Sequence, residues 1–426
     1  MRYSLLCLIL ILFLGAFAIA QNDGDAVLAM WSARTTYLVG VTAGGVVTTI
    51  TSWPNTVLPD GLVASPANDG ALLVARTLVP FSVHLLKFQN PAGVSTLATL
   101  STTFPSTPSI LVDAGGDLLI LNETGHDRGV YRMPGQGGPT TTVAHNSLNA
   151  NFTTAFAMTE EPVSGDLVVL DVNRSLHRID RTGKITTIRF TLPPTGVLPP
   201  MNSSVHADFR TGLLYFTYST YFFGGLDPNT GAMTTILQPM SVFQSRYYGL
   251  DNNPFGNGYY MTVLAISPLA SGSHLMRYDP QNATLSTVSA SLPTGNLGDV
   301  LTWRSRILGG MNRPARGMAY RVRMFVPSEA GRAYLAGAAL GFIPGIPLGG
   351  GRWVPLNADP LFYLSMLTPS LFAGFQGTLS GLGAAILTVN IPQVPHLHGF
   401  RFFLAAVTYD ARGARVISEP LGVTIE

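Results

Sequence analysis

Apolar and polar positions alternate in short runs along most of the chain, and the clearest run is Ser164–Phe190. It predicts three strands in succession: Asp166-Leu-Val-Val-Leu, Ser175-Leu-His-Arg-Ile and Lys184-Ile-Thr-Thr-Ile. They are rich in β-branched residues and separated by turn chemistry at Asp171–Asn173 and Arg181-Thr182-Gly183. A unit this small cannot bury its own apolar face, so it must stack against copies of itself. The chain supplies the copies. The middle strand recurs as Tyr37-Leu-Val-Gly-Val, His84-Leu-Leu-Lys-Phe, Gly129-Val-Tyr-Arg-Met, Phe222-Phe-Gly-Gly-Leu and His274-Leu-Met-Arg-Tyr. Each copy is followed by a turn and a Thr/Val-rich strand. The spacing runs from about 45 to about 52 residues, the range of four-stranded propeller blades.

Six such units predict a radial array in which each sheet packs both faces on its neighbours and no long edge stays free. The first copy lacks an innermost strand. Asp299-Val-Leu-Thr-Trp-Arg, after the sixth, is expected to complete the first blade and latch the ring. The fold class is therefore all-β: a six-bladed β-propeller over 21–310, followed by a β-sandwich over 318–426. Arg313-Pro314-Ala315-Arg316-Gly317 is the expected linker, within 311–317. Past it the long period stops. Strands are expected at Met318–Val326, Ala333–Leu340, Arg352–Leu356, Leu361–Leu367, Phe372–Leu379, Ala384–Ile391, Phe400–Tyr409 and Ala414–Ile425.

Composition agrees with this layout. Charged residues are 11% of the chain, against roughly 25% in an average soluble protein, and 45 Gly and 30 Pro suit many tight turns. A net charge of +2 with scattered Arg residues offers no basic stripe, so nucleic acid is not an expected partner. Residues 1–20 read as a secretory signal, with Arg2, the apolar run Leu5–Phe17 and a small-residue site at Ala18-Ile19-Ala20. The expected localisation is secreted, whether extracellular, periplasmic or at the cell surface, after cleavage near Ala20. Cys7 is the only cysteine and lies in that run, with Leu6 where a lipid-attachment signal wants a small residue, so the mature chain is expected to contain no thiol. No membrane span is expected: the apolar stretch Ala333–Leu348 is interrupted by Gly341, Pro344, Gly345 and Pro347.

The segment Asp113-Ala-Gly-Gly-Asp-Leu-Leu-Ile-Leu, the strand Tyr131-Arg132-Met133 and the Thr182-Gly-Lys-Ile-Thr-Thr turn resemble the NHL-type and SMP-30/strictosidine-synthase-like six-bladed propellers, a group that includes virginiamycin B lyase-like proteins. The resemblance covers roughly residues 24–310. It implies the fold; it does not imply one activity, because propellers host binding, hydrolysis and lyase chemistry alike. The C-terminal part resembles a module of uncharacterised secreted bacterial proteins, which implies no reaction.

No catalytic or cofactor-binding set stands out, and the cofactor is left open. Asp113, Glu160, Asp208 and Asp251 occupy similar places in four blades and would suit a hard cation if they met. Repeated Asx-type turns explain them more simply, since successive blades hold such turns at different azimuths. The resemblance implies an axial metal, for which Asn149, Asn151, His206 and Asn252 are the nearest offerings without a full match. His84, His177 and His274 fall in third strands, as blade-packing or surface groups. His396 and His398 would share a face if their segment were a strand, but two ligands make a weak site. Asn122, Asn151, Asn173, Asn202 and Asn282 begin glycosylation sequons, taken as incidental. Tyr218, Tyr221, Phe222, Phe223, Tyr247 and Tyr248 form the densest aromatic cluster, for which core packing is preferred to ligand stacking. The expectation is a non-catalytic binding protein that takes an extracellular protein, a glycan or a small ligand at the propeller face. The alternative is a metal-dependent lactonase or lyase with its site at the ring axis.

Overall fold

The computed structural model describes residues 25–426, apart from 32–34, 43, 55–56, 66–69, 79–80, 90–92, 101–108, 123–127, 136, 146–154, 162, 172, 192–203, 210, 219–221, 238–243, 254–257, 267–270, 281, 283, 290–291, 293–295, 303–305 and 350–351. The signal segment 1–20, with Cys7, and residues Asn149, Asn151, Asn202 and Tyr221 lie outside the described residues.

Six four-stranded antiparallel sheets make up the first two-thirds of the chain. Their innermost strands are Asn296–Thr302 (blade 1), Val57–Ala64 (blade 2), Ser109–Val112 (blade 3), Ala155–Glu160 (blade 4), Val205–Ala207 (blade 5) and Gln244–Asn253 (blade 6). These strands neighbour one another in cyclic order, blade 6 touching blade 1, so the array closes into a ring. The closing strand comes from the far end of the repeat. Asn296–Thr302 pairs antiparallel with Ala26–Trp31, Val27 opposite Leu301 and Leu28 opposite Val300.

Strand periodicity explains how the ring packs. Successive side chains of a strand point to opposite faces, and here each face meets a different neighbour. In blade 3, Leu118 and Ile120 pack on blade 2 while Leu119 and Leu121 pack on blade 4. In blade 4, Leu167 and Val169 face blade 3, and Val168 and Leu170 face blade 5. In blade 1, Val27 and Ala29 face blade 2, and Ala26, Leu28 and Met30 face blade 6. A second strand such as Leu118–Asn122 is therefore buried at every position, and it reads as an unbroken apolar run for the reason that strands covered on both faces do. The outermost strand Ile185–Arg189 is mostly half-buried or exposed, and its threonines keep β-propensity without adding a greasy edge. The turn into the outermost strand also repeats. Asp180 accepts from the backbone N–H of Thr182 and Lys184, and Asp227 accepts from that of Asn229. Gly183 and Gly231 follow at φ 80° and 73°, where a side chain would be strained.

Two further sheets face each other across one apolar core, forming the β-sandwich. One is Leu308–Gly310, Ala319–Phe325, Ala384–Asn390 and Phe372–Ala373; the other is Gln376–Thr378, Ala333–Ala339, Arg401–Asp410 and Gly413–Ile417, with Leu421–Thr424 also paired to Arg401–Asp410. Leu308–Gly310, assigned to the ring from sequence, pairs with Ala319–Phe325, so the sandwich sheet already includes residues before the expected linker. Leu361–Leu367, expected as a strand, is instead part of a helix, Pro360–Leu367. Its apolar run has no decisive period; Asp359 decides the matter by accepting from the N–H groups of Leu361 and Phe362, with Pro360 preset for the first turn. The expected strand Phe372–Leu379 is two pieces broken at Gly374 (φ 71°), and the expected Ala414–Ile425 breaks between Ile417 and Leu421. His396 lies in a 3-10 turn, Pro395–Leu397, with His398 just after it, both exposed, so they do not share a strand face. Among the described residues, no helix is long and apolar enough to cross a membrane.

Candidate functional site

The sandwich docks on the face of the ring that carries the turns between first and second strands. Tyr320 donates its hydroxyl to the Ala114 carbonyl at 2.7 Å, and burial pushes that phenol's pKa up. Arg313 pairs with Asp117 at 2.9 Å, and Arg181 reaches from blade 4 to the Gly399 carbonyl. Gly310 sits so close to the Ala114 carbonyl that a side chain there would collide with it. Phe209 meets Phe342 edge to face, with ring centroids 5.7 Å apart.

Beneath this contact, at the ring axis, lies a cavity of about 230 Å³. Its wall is made by inner strands of blades 2 to 6, through Leu62–Ala64, Ser109–Val112, Met158–Glu160, Ser204–Ala207 and Leu250–Asp251. The sandwich and the segment leading into it supply the rest: Arg306–Leu308, Arg401 and Glu419–Gly422. Three polar groupings line it. Arg401 pairs with Glu160 at 2.8 Å, its guanidinium passing so near Gly422 and Gly165 that neither position has room for a Cβ. His206 lies between Glu419 (Nε2 to Oε1, 3.5 Å) and Asp251 (Nδ1 to Oδ1, 4.0 Å), with the Tyr259 ring against it. Arg306 donates to the Val112 and Asp113 carbonyls at 2.9 and 2.6 Å, while its Nε has no partner among the described residues.

The four acids grouped by position in the sequence therefore separate into two kinds. Asp113 and Asp208 are turn residues: Asp113 accepts from the N–H of Gly115 and Asp117 and pairs with Arg132, and Asp208 accepts from the Thr211 hydroxyl. In blade 4 the turn role falls to Glu161, which accepts from Val163 and Ser164. That frees Glu160, the last residue of the inner strand, to face the cavity, as Asp251 does from blade 6. Of the sequence candidates, His206, Glu160 and Asp251 are brought to one site. Arg306, Arg401 and Glu419 join them there, and nothing in their local sequence marks them as site residues. His177 is buried inside blade 4; His84 and His274 are partly buried on third strands, burial lowering the pKa of His84. Phe223 is core, against Tyr215 and Tyr278. The side chains of Tyr218, Phe222, Tyr247, Tyr248 and Asn252 lie outside the described residues. Asn122 is fully buried, which leaves its sequon no surface.

Burial alone would lower the His206 pKa, but the charges of Glu419, Asp251 and Asp208 outweigh it and the value is raised above 6.5. A raised folded value means that the charged imidazole stabilises the docked arrangement fully below about pH 6.5 and that this contribution is lost as pH rises through the folded value. Thermal unfolding followed from about pH 6 to about pH 9 should show a falling midpoint, and His206→Gln should flatten that slope. A wild-type slope unchanged in His206→Gln would contradict the assignment.

No family model matches the chain, and a search of curated proteins found no match. Solved structures similar to it include a protein of unknown function from Bacteroides thetaiotaomicron (TM-score 0.43, 12% identity, 70% of this chain and 87% of that one). Another is a candidate 6-phosphogluconolactonase from Bacteroides fragilis (TM-score 0.43, 11% identity, 66% and 99%). A third is the dihydro-heme d1 dehydrogenase NirN in complex with DHE (TM-score 0.37, 11% identity, 69% and 78%).

Proposed function

We propose that this chain is an exported binding protein whose small polar ligand occupies the axial cavity, with the sandwich forming part of the site. One observation carries the reading: Arg401 and Glu419, both from the sandwich, reach across to Glu160 and His206 on the inner strands of two blades, at the wall of a single cavity. A domain serving only as a spacer has no need to place charged side chains at the axis, where each one costs desolvation unless it is paired. The cavity is smaller than the roughly 300–1,000 Å³ of drug-sized pockets, so the ligand is a small molecule and not a polymer. Export rests on residues 1–20 and predicts a mature chain beginning at Gln21. The ring groups with the NHL-type propellers on the strength of Asp113–Leu121.

A resident divalent cation, which the resemblance would imply, does not fit these residues. Glu160 is already held by Arg401, Asp251 and Glu419 share an imidazole, and Arg306 adds a fixed positive charge to the same wall. Among the described residues, no group of three or more His, Cys, Asp or Glu side chains is placed to hold a metal. No hydrolytic or lyase step is therefore routed through a metal here.

Ligand-observed NMR with a library of small polar metabolites tests the reading. Wild type should bind at least one compound, and Val63→Trp, which adds bulk at a half-buried position of the cavity wall, should weaken that binding by about tenfold or more while the chain still melts cooperatively. Binding equally strong in Val63→Trp, or no binder in the library, would defeat it.

A further inference from the structure

The helix Pro360–Leu367 covers an edge of the sandwich. Gln376–Thr378 pairs with Ala333–Ala339 only as far as Leu335, so the rest of that strand needs another cover. The Ala336 N–H donates to the Phe375 carbonyl, and the Ala338 N–H donates to the Ser365 hydroxyl at 3.0 Å. Leu361 packs on the main sandwich core and Phe362 on the smaller cluster around Phe342 and Phe403. Those contacts account for one side of the helix.

The other side is apolar as well. Tyr363, Leu364 and Leu367 are 56%, 43% and 78% exposed, while Ser365 is buried. Tyr363 and Leu364 stand one turn before Leu367, so the three form a single stripe. A helix that is apolar on both sides is normally enclosed. Leu340 and Ile343, also exposed, flank its start: the Leu340 N–H donates to Asp359 at 2.7 Å, and Asn357 is bonded to both Gly341 and Gly345. Single exposed leucines are ordinary, but five apolar side chains gathered around one helix are not.

Charge decides what can cover this face. The chain carries no Asp, Glu, Lys or Arg over 360–400, and none over 333–351. A partner that met the stripe with charged groups would desolvate them unpaired. A two-fold axis instead brings up an identical charge-free face, which asks for no counter-charge. Size agrees: the five side chains expose roughly 500 Å², so two copies would cover about 1,000 Å², the least a specific interface requires, before any rim is counted. A lipid surface fits less well. Interfacial helices seat on headgroups through Lys and Arg, whereas Arg352, on the neighbouring hairpin, is held by the Ala414 and Arg415 carbonyls.

We propose that the chain forms a two-fold dimer in which the exposed stripe of Pro360–Leu367 packs on the same stripe of a second copy. None of the five side chains lines the axial cavity, so the dimer is independent of the ligand reading.

Sedimentation equilibrium of the purified chain should give twice the monomer mass at micromolar concentration. Leu364→Glu places like charges against each other near the middle of the stripe and should weaken association by about a hundredfold or more. Leu367→Glu, at the most exposed of the three side chains, should act in the same direction and serves if the first variant does not melt cooperatively. Mixing Leu364→Glu chains with Leu364→Arg chains should restore dimers, which only a second copy on this face explains. A monomer at every concentration overturns the proposal. So does a dimer of undiminished affinity in the Glu variants, or a Glu/Arg mixture that associates no better than either variant alone. Flotation on phosphatidylcholine vesicles examines the other occupant: wild-type chain that binds them as a monomer, with binding lost in Leu367→Glu, assigns the stripe to lipid and overturns the dimer.

Discussion

Replacing Asn296–Thr302 with seven Gly/Ser residues is expected to abolish cooperative unfolding of the propeller. The segment is the inner strand of blade 1, yet it arrives from the end of the repeat and ties the last blade to the first. Without it, Ala26–Trp31 loses its ladder partner on one side, and Ala26, Leu28 and Met30 lose the closure that holds them against Tyr260 and Leu275 of blade 6. A ring differs from a stack in this respect. Each blade is stable only through two neighbours, so opening one joint exposes two apolar faces at once. The expected loss is comparable with the whole stability of a domain, about 5–15 kcal/mol. Keeping the tether length in the variant separates loss of the strand from loss of the connection to the sandwich. Calorimetry should show the ring transition vanish or broaden; a transition unchanged in midpoint and enthalpy would mean that the closing strand is dispensable.

The second large effect is expected at His177→Ala, a loss of about 3 kcal/mol, the upper end of the range for leaving a buried acceptor without its hydrogen-bond donor. His177 and Asp171 are each 2% exposed, with Nε2 2.9 Å from Asp171 Oδ2. The other ring nitrogen is 3.0 Å from the Thr187 hydroxyl, and Asp171 Oδ1 accepts from the Ser175 N–H. The chain Asp171–His177–Thr187 thus bolts together the second, third and fourth strands of blade 4, whose own ladder bonds run only between adjacent strands. Removing the imidazole leaves a carboxylate buried with too few donors. Thr187→Val removes one hydrogen bond and should cost about 1 kcal/mol. The double variant Asp171→Leu/His177→Phe, which removes both polar partners together, should lose less than the sum of the two single losses. Urea midpoints decide the matter. A loss under about 1 kcal/mol in His177→Ala would show that the group does not act as a bolt.

The ring was legible because its determinants are local and repeated. The alternation Leu118/Leu119/Ile120/Leu121 announces a strand buried on both faces, and the motif Ser175-Leu-His-Arg-Ile recurs often enough to count blades. Even the closing strand could be foreseen, since one copy was short by a strand and one apolar strand was left over. The third-strand position of His177 predicts a packing or surface group without choosing between them; the residue is buried, and its bond to Asp171 has no signature in the sequence. The helix at Pro360–Leu367 is not legible in its apolar run, which has no decisive period; its signal is Asp359 and Pro360 at the start.

The cavity was not legible, and the reason is distance along the chain. Glu160 meets Arg401 across 241 residues, and Arg306 reaches Val112 across 194. Neither pair leaves any local trace. Asp113 and Glu160 look equivalent in sequence, but a one-residue shift gives the turn of blade 4 to Glu161 and turns Glu160 toward the axis. The amino-acid order alone determined that six sheets form and that they must close, because short-range alternation and a fixed repeat decide which faces need cover. Which charges converge beneath the sandwich was decided only by the tertiary structure, since that depends on where surfaces hundreds of residues apart in the chain come to rest against each other.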